Sequence, residues 1–176
     1  MKSERLDVSV TAISCLKTFS GVVLVGLGNR LELYQSGDLK SSKTIFNSTS
    51  ASIHGFVESH FSNEEETKVL VFGAKHVAIL RLSSPEFLFN CESSEVECED
   101  WIFAAKWISE AEILVLTAHN RVLRLTLRHS ELCVSSDVVQ CEEKCILYSG
   151  QIVDDQNSDL EATVLAGTVF RELIIW

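Results

Sequence analysis

The sequence predicts an all-β protein built as part of a β-propeller, and three observations carry that prediction. Four stretches, "LVGLGNRLELY", "LVFGAKHVAIL", "LVLTAHNRVLRL" and "VLAGTVFRELIIW", share one pattern: an apolar strand ending in small residues, a tight polar turn, then a strand of alternating apolar positions. With Leu31, Val77, Val122 and Leu173 taken as equivalent, the pattern recurs after 46, 45 and 51 residues. Turn residues also fall roughly every eight to twelve positions, too often for a 3.6-residue helical periodicity to develop.

Each hairpin is extended by further apolar runs. The first is preceded by "VSVTAISCL" and followed by "KTIFN"; the second is flanked by "ASIHGFVES" and "EFLFN". The third lies between "DWIFAAKWIS" and "ELCVSSDVV", and the fourth follows "CILYSGQIV". Four strands per unit, at a period of roughly 45 residues, is the signature of propeller blades of the WD-repeat kind. Because a blade packs both faces against neighbours, its inner strands should read as near-continuous apolar runs, and "VVLVGL", "KVLVFG" and "EILVLT" do. The signature letters themselves are degenerate. Ile53-His54-Gly55 resembles the Gly-His dipeptide only loosely, and no unit ends in Trp-Asp.

The expected fold is therefore an incomplete WD40-type β-propeller in one domain over residues 1–176. Its blades are expected at about 6–50, 51–98 and 99–140, with an incomplete fourth at 141–176 that has three strands. A closed ring of about seven blades needs on the order of 300 residues, so the sequence is expected to be a truncated portion of a longer protein. Open blade edges predict marginal stability or self-association of such a piece.

Composition narrows the function classes. Hydrophobic residues make up 46% and the mean hydropathy is +0.17, which excludes global disorder. No apolar run is long enough to span a bilayer, and Met1 to Asp7 is charged with no apolar segment behind it. An intracellular, non-membrane protein is expected, with its six cysteines as free thiols. Cys141 and Cys145 are spaced C-x3-C, but no histidine pair or second close cysteine pair completes a zinc quartet. The net charge of −10 comes entirely from residues 89–176, which hold six basic and sixteen acidic residues. Such an acidic balance argues against phosphate binding by this segment. "CESSEVECED" and "DDQNSDLE" read as solvated loops.

No catalytic, cofactor-binding or metal-binding residue is predicted. Gly26-Leu27-Gly28 follows a strand but precedes another strand rather than a helix, so it reads as a hairpin turn and not as a phosphate cradle. The five histidines fall in no catalytic frame. His76 and His119 recur at equivalent turn positions, in "AKHV" and "AHNR"; such recurrence is what a turn needs, and it also places polar groups on one rim of a propeller. Lys75, His76, His119, Asn120 and Arg121 are accordingly the predicted partner-binding residues, together with Arg124 and Arg128 from a basic stripe along "RVLRLTLRH". In that strand Arg124, Thr126 and Arg128 share one face and Leu123, Leu125 and Leu127 the other. The stripe reads as a solvated edge countering the acidic loops, with backbone-phosphate contact as the alternative. Trp101 and Trp107 read as blade-packing aromatics.

Taken in order, "IHG", "VFGAKHVAILRL", "LVLTAHNRV", "CILYSG" and above all "AGTVFRELIIW" resemble the WD repeat-containing protein 6 family. The resemblance spans nearly the whole chain and covers only the beginning of a much larger multi-propeller protein. It implies a cytoplasmic, non-catalytic accessory subunit of a tRNA ribose 2′-O-methyltransferase. Such a subunit helps present the anticodon loop so that the first anticodon nucleotide is methylated. It also implies that methyl transfer and S-adenosylmethionine belong to the partner enzyme, so no cofactor is expected here. The charge of −10 leaves two possibilities for tRNA: a basic surface in other propellers, or a segment that contacts mainly protein. The alternative is a generic WD-repeat protein-interaction module in signalling or ubiquitin-ligase assembly.

Overall fold

A computed structural model of the chain describes residues 13–19, 22–35, 38–47, 52–61, 66–83, 90–119, 121–140, 147–154, 162–168 and 173–175. These residues form strands and turns with no helix. The first sheet is β1 (Ile13–Phe19), β2 (Val22–Leu27), β3 (Arg30–Gln35) and β4 (Asp38–Asn47). The second is β5 (Gly55–Glu58), β6 (Glu66–Gly73), β7 (His76–Ser83) and β8 (Asn90–Glu97). The third is β9 (Ile102–Trp107), β10 (Glu112–Thr117), β11 (Arg121–Arg128) and β12 (Glu131–Gln140). The last holds β13 (Leu147–Asp154), β14 (Ala162–Thr168) and β15 (Leu173–Ile175). Strands in every sheet follow chain order and pair antiparallel, as propeller blades require.

The apolar inner runs have a direct physical cause. Along β6, Val69 and Val71 pack into a core shared with Leu24, Leu31 and Phe46 of the first blade, while Leu70 and Phe72 pack into one shared with Trp107, Val115 and Leu125 of the third. β10 repeats this: Ile113 and Val115 join the core with blade two, whereas Leu114 and Leu116 meet Leu147 and Ile152 of the fourth blade. Alternate side chains thus enter two different cores, so the packed stretches 69–72 and 113–116 are apolar at every position. Burying each such side chain contributes roughly 1.5–3 kcal/mol.

The outer strands obey a different rule. The fourth strand of blade two is "NCESSEVE", not the "EFLFN" expected from its apolar character, and residues 86–89 of that stretch lie outside the described residues. In β8, Ser93, Glu95 and Glu97 are exposed while Ser94 and Val96 are half-buried. An outermost strand has water on one side, so only alternate residues need be sheltered. The part of "CESSEVECED" up to Glu97 is therefore strand rather than loop.

Turn chemistry closes the hairpins. Gly28 and Asn29 join β2 to β3 in two residues, with Gly28 at φ 59°. A positive φ at the first turn position suits the right-handed strand twist and comes without a side-chain clash only for glycine. At the matching place between β6 and β7, Ala74 adopts φ 46° despite its Cβ. His129 and Ser130, between β11 and β12, are both at positive φ, as a two-residue type I′ turn demands.

Candidate functional site

Neighbouring blades are joined by one repeated backbone contact. Ile53 N–H donates to the Gly28 carbonyl at 2.7 Å, Ile102 N–H to Ala74 at 2.7 Å, and Leu147 N–H to Ala118 at 2.8 Å. Each runs from the entry of one blade to the β-turn between the second and third strands of the blade before it. All these turns and blade entries therefore lie on one rim. The backbone approach is close: a methyl group added at Gly73 would overlap the Ser52 carbonyl, and one at Gly55 would come within 2.5 Å of Phe72.

Side chains reinforce the contact between blades two and three. Lys75 Nζ donates to the Glu99 carbonyl at 2.8 Å, and Arg121 Nη1 to Glu99 Oε2 at 2.7 Å. Asp100 receives the His119 amide at 2.8 Å and the Trp101 amide at 2.7 Å. His119 Nδ1 lies 2.8 Å from Asp100 Oδ1; because an ionised carboxylate only accepts, Nδ1 carries the proton. Burial pushes the Asp100 carboxyl up, but the His119 ring, the His119 amide, the Thr117 hydroxyl and the Trp101 amide outweigh it and hold it below its ordinary value. The Thr117 hydroxyl contributes without reaching full hydrogen-bond geometry.

The rim brings together Lys75, His76, His119 and Arg121 among the residues singled out from sequence, while Asn120 lies outside the described residues. The geometry changes one equivalence. Ala74 and Ala118 both accept the inter-blade bond, so His119 corresponds to Lys75, and Arg121, which opens β11, corresponds to His76, which opens β7. The turn of the third blade is one residue longer.

Arg124 and Arg128 are elsewhere. Arg124 sits within β11 beside Glu112, at 3.7 Å, and Arg128 closes the strand beside the His129–Ser130 turn. Seven residues of strand, roughly 23 Å, separate Arg128 from Arg121. Leu123 and Leu125 face the core and Leu127 packs against it, while Arg124 and Thr126 are half-buried and Arg128 exposed. β11 lies between β10 and β12, so the stripe is on an inner strand rather than an edge, and two of the three arginines are matched by carboxylates.

The two tryptophans part company. Trp107 is buried in the core between blades two and three, as a blade-packing residue should be. Trp101 is 52% exposed on the rim and stacks on His54, with ring centroids 6.2 Å apart and planes 27° from parallel. Sequence reasoning passed over His54, Glu99 and Asp100 as rim residues. A candidate signal was the acidic pair placed just before a blade entry.

Among the described residues no group of three or more His, Cys, Asp and Glu side chains is placed to hold a metal, and Cys141 and Cys145 lie outside them. A cavity of about 200 Å³ opens beside the rim between Glu97, Cys98, Glu99, Arg121, Leu123 and Val134. That is below the roughly 300–1,000 Å³ usual for small-molecule sites. No described helix is long and apolar enough to cross a membrane. A buried carboxylate, Glu32, receives the Tyr34 and Ser42 hydroxyls at 2.9 and 3.0 Å and serves the packing of blade one.

Solved structures share this architecture. The chain matches the C-terminal WD40 domain of Sif2 with a TM-score of 0.63 at 12% identity, covering 94% of this chain and 45% of that one. It matches a chain of the Chaetomium thermophilum Nup82 NTD–Nup159 TAIL–Nup145N APD complex at 0.63 and 10%, covering 94% and 42%. A chain of the mitotic checkpoint complex follows at 0.59 and 12%, covering 89% and 45%. The fold is an incomplete WD40 propeller. No protein-family model matches the sequence. Among curated proteins, the mouse (Mus musculus) tRNA (34-2'-O)-methyltransferase regulator WDR6 is 30% identical over 183 residues, which take in 99% of this chain. The chain resembles the WDR6 regulators along nearly its whole length. The rat (Rattus norvegicus) WDR6 regulator is 28% identical over the same share. The chain spans 16% of the length of these WDR6 relatives, both of which are named as regulators rather than as enzymes.

Proposed function

We propose that this chain is part of a non-catalytic accessory subunit for 2′-O-ribose methylation of the tRNA wobble nucleotide, working in the cytoplasm. The observation that carries the reading is 30% identity to the mouse methyltransferase regulator over 99% of the chain. The fold is compatible with it, since a propeller offers a rigid rim of turns for protein contact. In this reading each sheet is one blade, with divisions near residues 50, 98 and 140. Lys75, His76, His119, Asn120 and Arg121 belong to the partner-facing rim, and Arg124 and Arg128 to a flanking charged stripe. The methyltransferase supplies the S-adenosylmethionine and the chemistry, and this segment contributes docking surface.

Co-purification of the 176-residue chain with the tRNA ribose methyltransferase tests the proposal, beside a full-length relative. Retention of the enzyme by the short chain supports it. Failure to retain the enzyme, with a stable unrelated protein partner in its place, would favour a general WD-repeat interaction module instead. Methyl transfer from S-adenosylmethionine by the chain alone should be absent.

A further inference from the structure

The rim carries aromatic residues that the inter-blade contact does not need. In blades one, three and four the first strand takes in one extra residue near its start, at Ser14, Phe103 and Tyr148. His54 holds the corresponding place in blade two: its amide bonds to the Phe72 carbonyl at 2.8 Å, and Gly55 pairs with the same Phe72. Such bulges re-aim a side chain out of the regular pleat. His54 is exposed, Phe103 is 38% exposed, and Trp101 stacks on His54 from the next blade.

Trp101 is both exposed and held. Its amide is bonded to Asp100 at 2.7 Å, and its carbonyl accepts the Ala118 amide at 2.7 Å. These bonds fix its backbone and the His54 stack supports its indole, so the side chain gives up less freedom on binding. The charge around it selects the occupant. Glu97 and Glu99 are exposed on the same rim, Glu99 by 82% of its side chain, and the chain carries −10 overall. Lys75 and Arg121 are both already bonded to Glu99. Glu99 thus occupies the two cations that could meet a phosphate backbone, while the exposed aromatic faces and the Glu97 carboxylate attract ammonium and guanidinium groups.

We infer that His54, Trp101 and Phe103, on a rim that also exposes Glu97 and Glu99, receive a lysine- or arginine-bearing segment of a partner protein. The inference rests on the reading of this chain as a binding subunit, and adds to it the surface and the chemistry of the partner.

The test uses the full chain and three labelled probes: an eight-residue peptide alternating lysine and leucine, its glutamate–leucine counterpart, and an eight-nucleotide oligouridylate. The lysine peptide should bind saturably and more weakly as salt rises. Trp101→Ala should weaken it about tenfold and Trp101→Phe much less, with far-ultraviolet circular dichroism confirming the fold. His54→Ala provides a second variant should Trp101→Ala not fold, and should also weaken the peptide. Unchanged binding by a folded Trp101→Ala or His54→Ala chain would overturn the inference, since general acidity would then suffice. Oligouridylate binding that depends on Trp101 would overturn it too, by making the occupant a nucleic acid. Methyltransferase retention is scored separately on the unaltered chain, so either reading can fail while the other stands.

Discussion

Asp100 and His119, nineteen residues apart, grip each other twice: the His119 amide and its ring Nδ1 both lie 2.8 Å from the Asp100 carboxylate. The pair ties the entry of blade three to that blade's own turn. Together with the Trp101 amide it gives Asp100 three short hydrogen-bond contacts. Replacing Asp100 by Ala should cost about 2 kcal/mol, allowing for partial exposure of its partners. Chemical denaturation of the two proteins would read this directly.

The same carboxylate makes stability pH-dependent. Its folded pKa is lowered, so its contribution is complete above the unfolded value, about 4, and is lost as pH falls through the lower folded value. Denaturation midpoints taken below about pH 4 should therefore fall more steeply for the natural chain than for Asp100→Ala. Equal slopes would mean that the carboxylate is not held as described.

Cys98 and Cys133 should react very differently. Burial pushes the Cys98 thiol up to about 11, against a modest opposing pull from Arg121, whereas Cys133 is exposed. Iodoacetamide at pH 8 should label Cys133 promptly and Cys98 only on unfolding, as peptide mass mapping would show. Since only the unfolded thiol ionises readily above about pH 9, Cys98 also lowers stability as pH rises from about 9 towards 11.

Two turn positions should respond in opposite directions. Ala74→Gly relieves a positive φ at a residue with a Cβ and should stabilise by about 0.5–1 kcal/mol, part of the strain relief being offset by the freer unfolded chain. Gly73→Ala, one residue earlier, drives a methyl into the Ser52 carbonyl and should destabilise by about 2–4 kcal/mol. Thermal melts of both variants against the natural chain would separate the two effects.

The blades were legible because burial on two faces leaves an apolar run, as at "KVLVFG", that polar residues cannot interrupt. β8 was not, since an outer strand such as "NCESSEVE" needs shelter only at alternate positions and resembles a loop in composition. The rim turns were readable from their small and polar residues. The Asp100–His119 contact was not, because nothing local marks a bond between residues nineteen apart. Trp101 and Trp107 are six apart, a spacing that puts both on one face of a regular strand. The extra residue at Phe103 breaks that phase and leaves one indole in the core and the other in water.

Hydrogen exchange of the chain with and without the tRNA ribose methyltransferase would be the most direct measurement. Slowed exchange confined to the rim segments 74–76, 99–101 and 118–121 is expected. No change on adding the enzyme, or slowing only beside Arg128 and the His129–Ser130 turn at the opposite end of β11, would contradict a docking role for this rim.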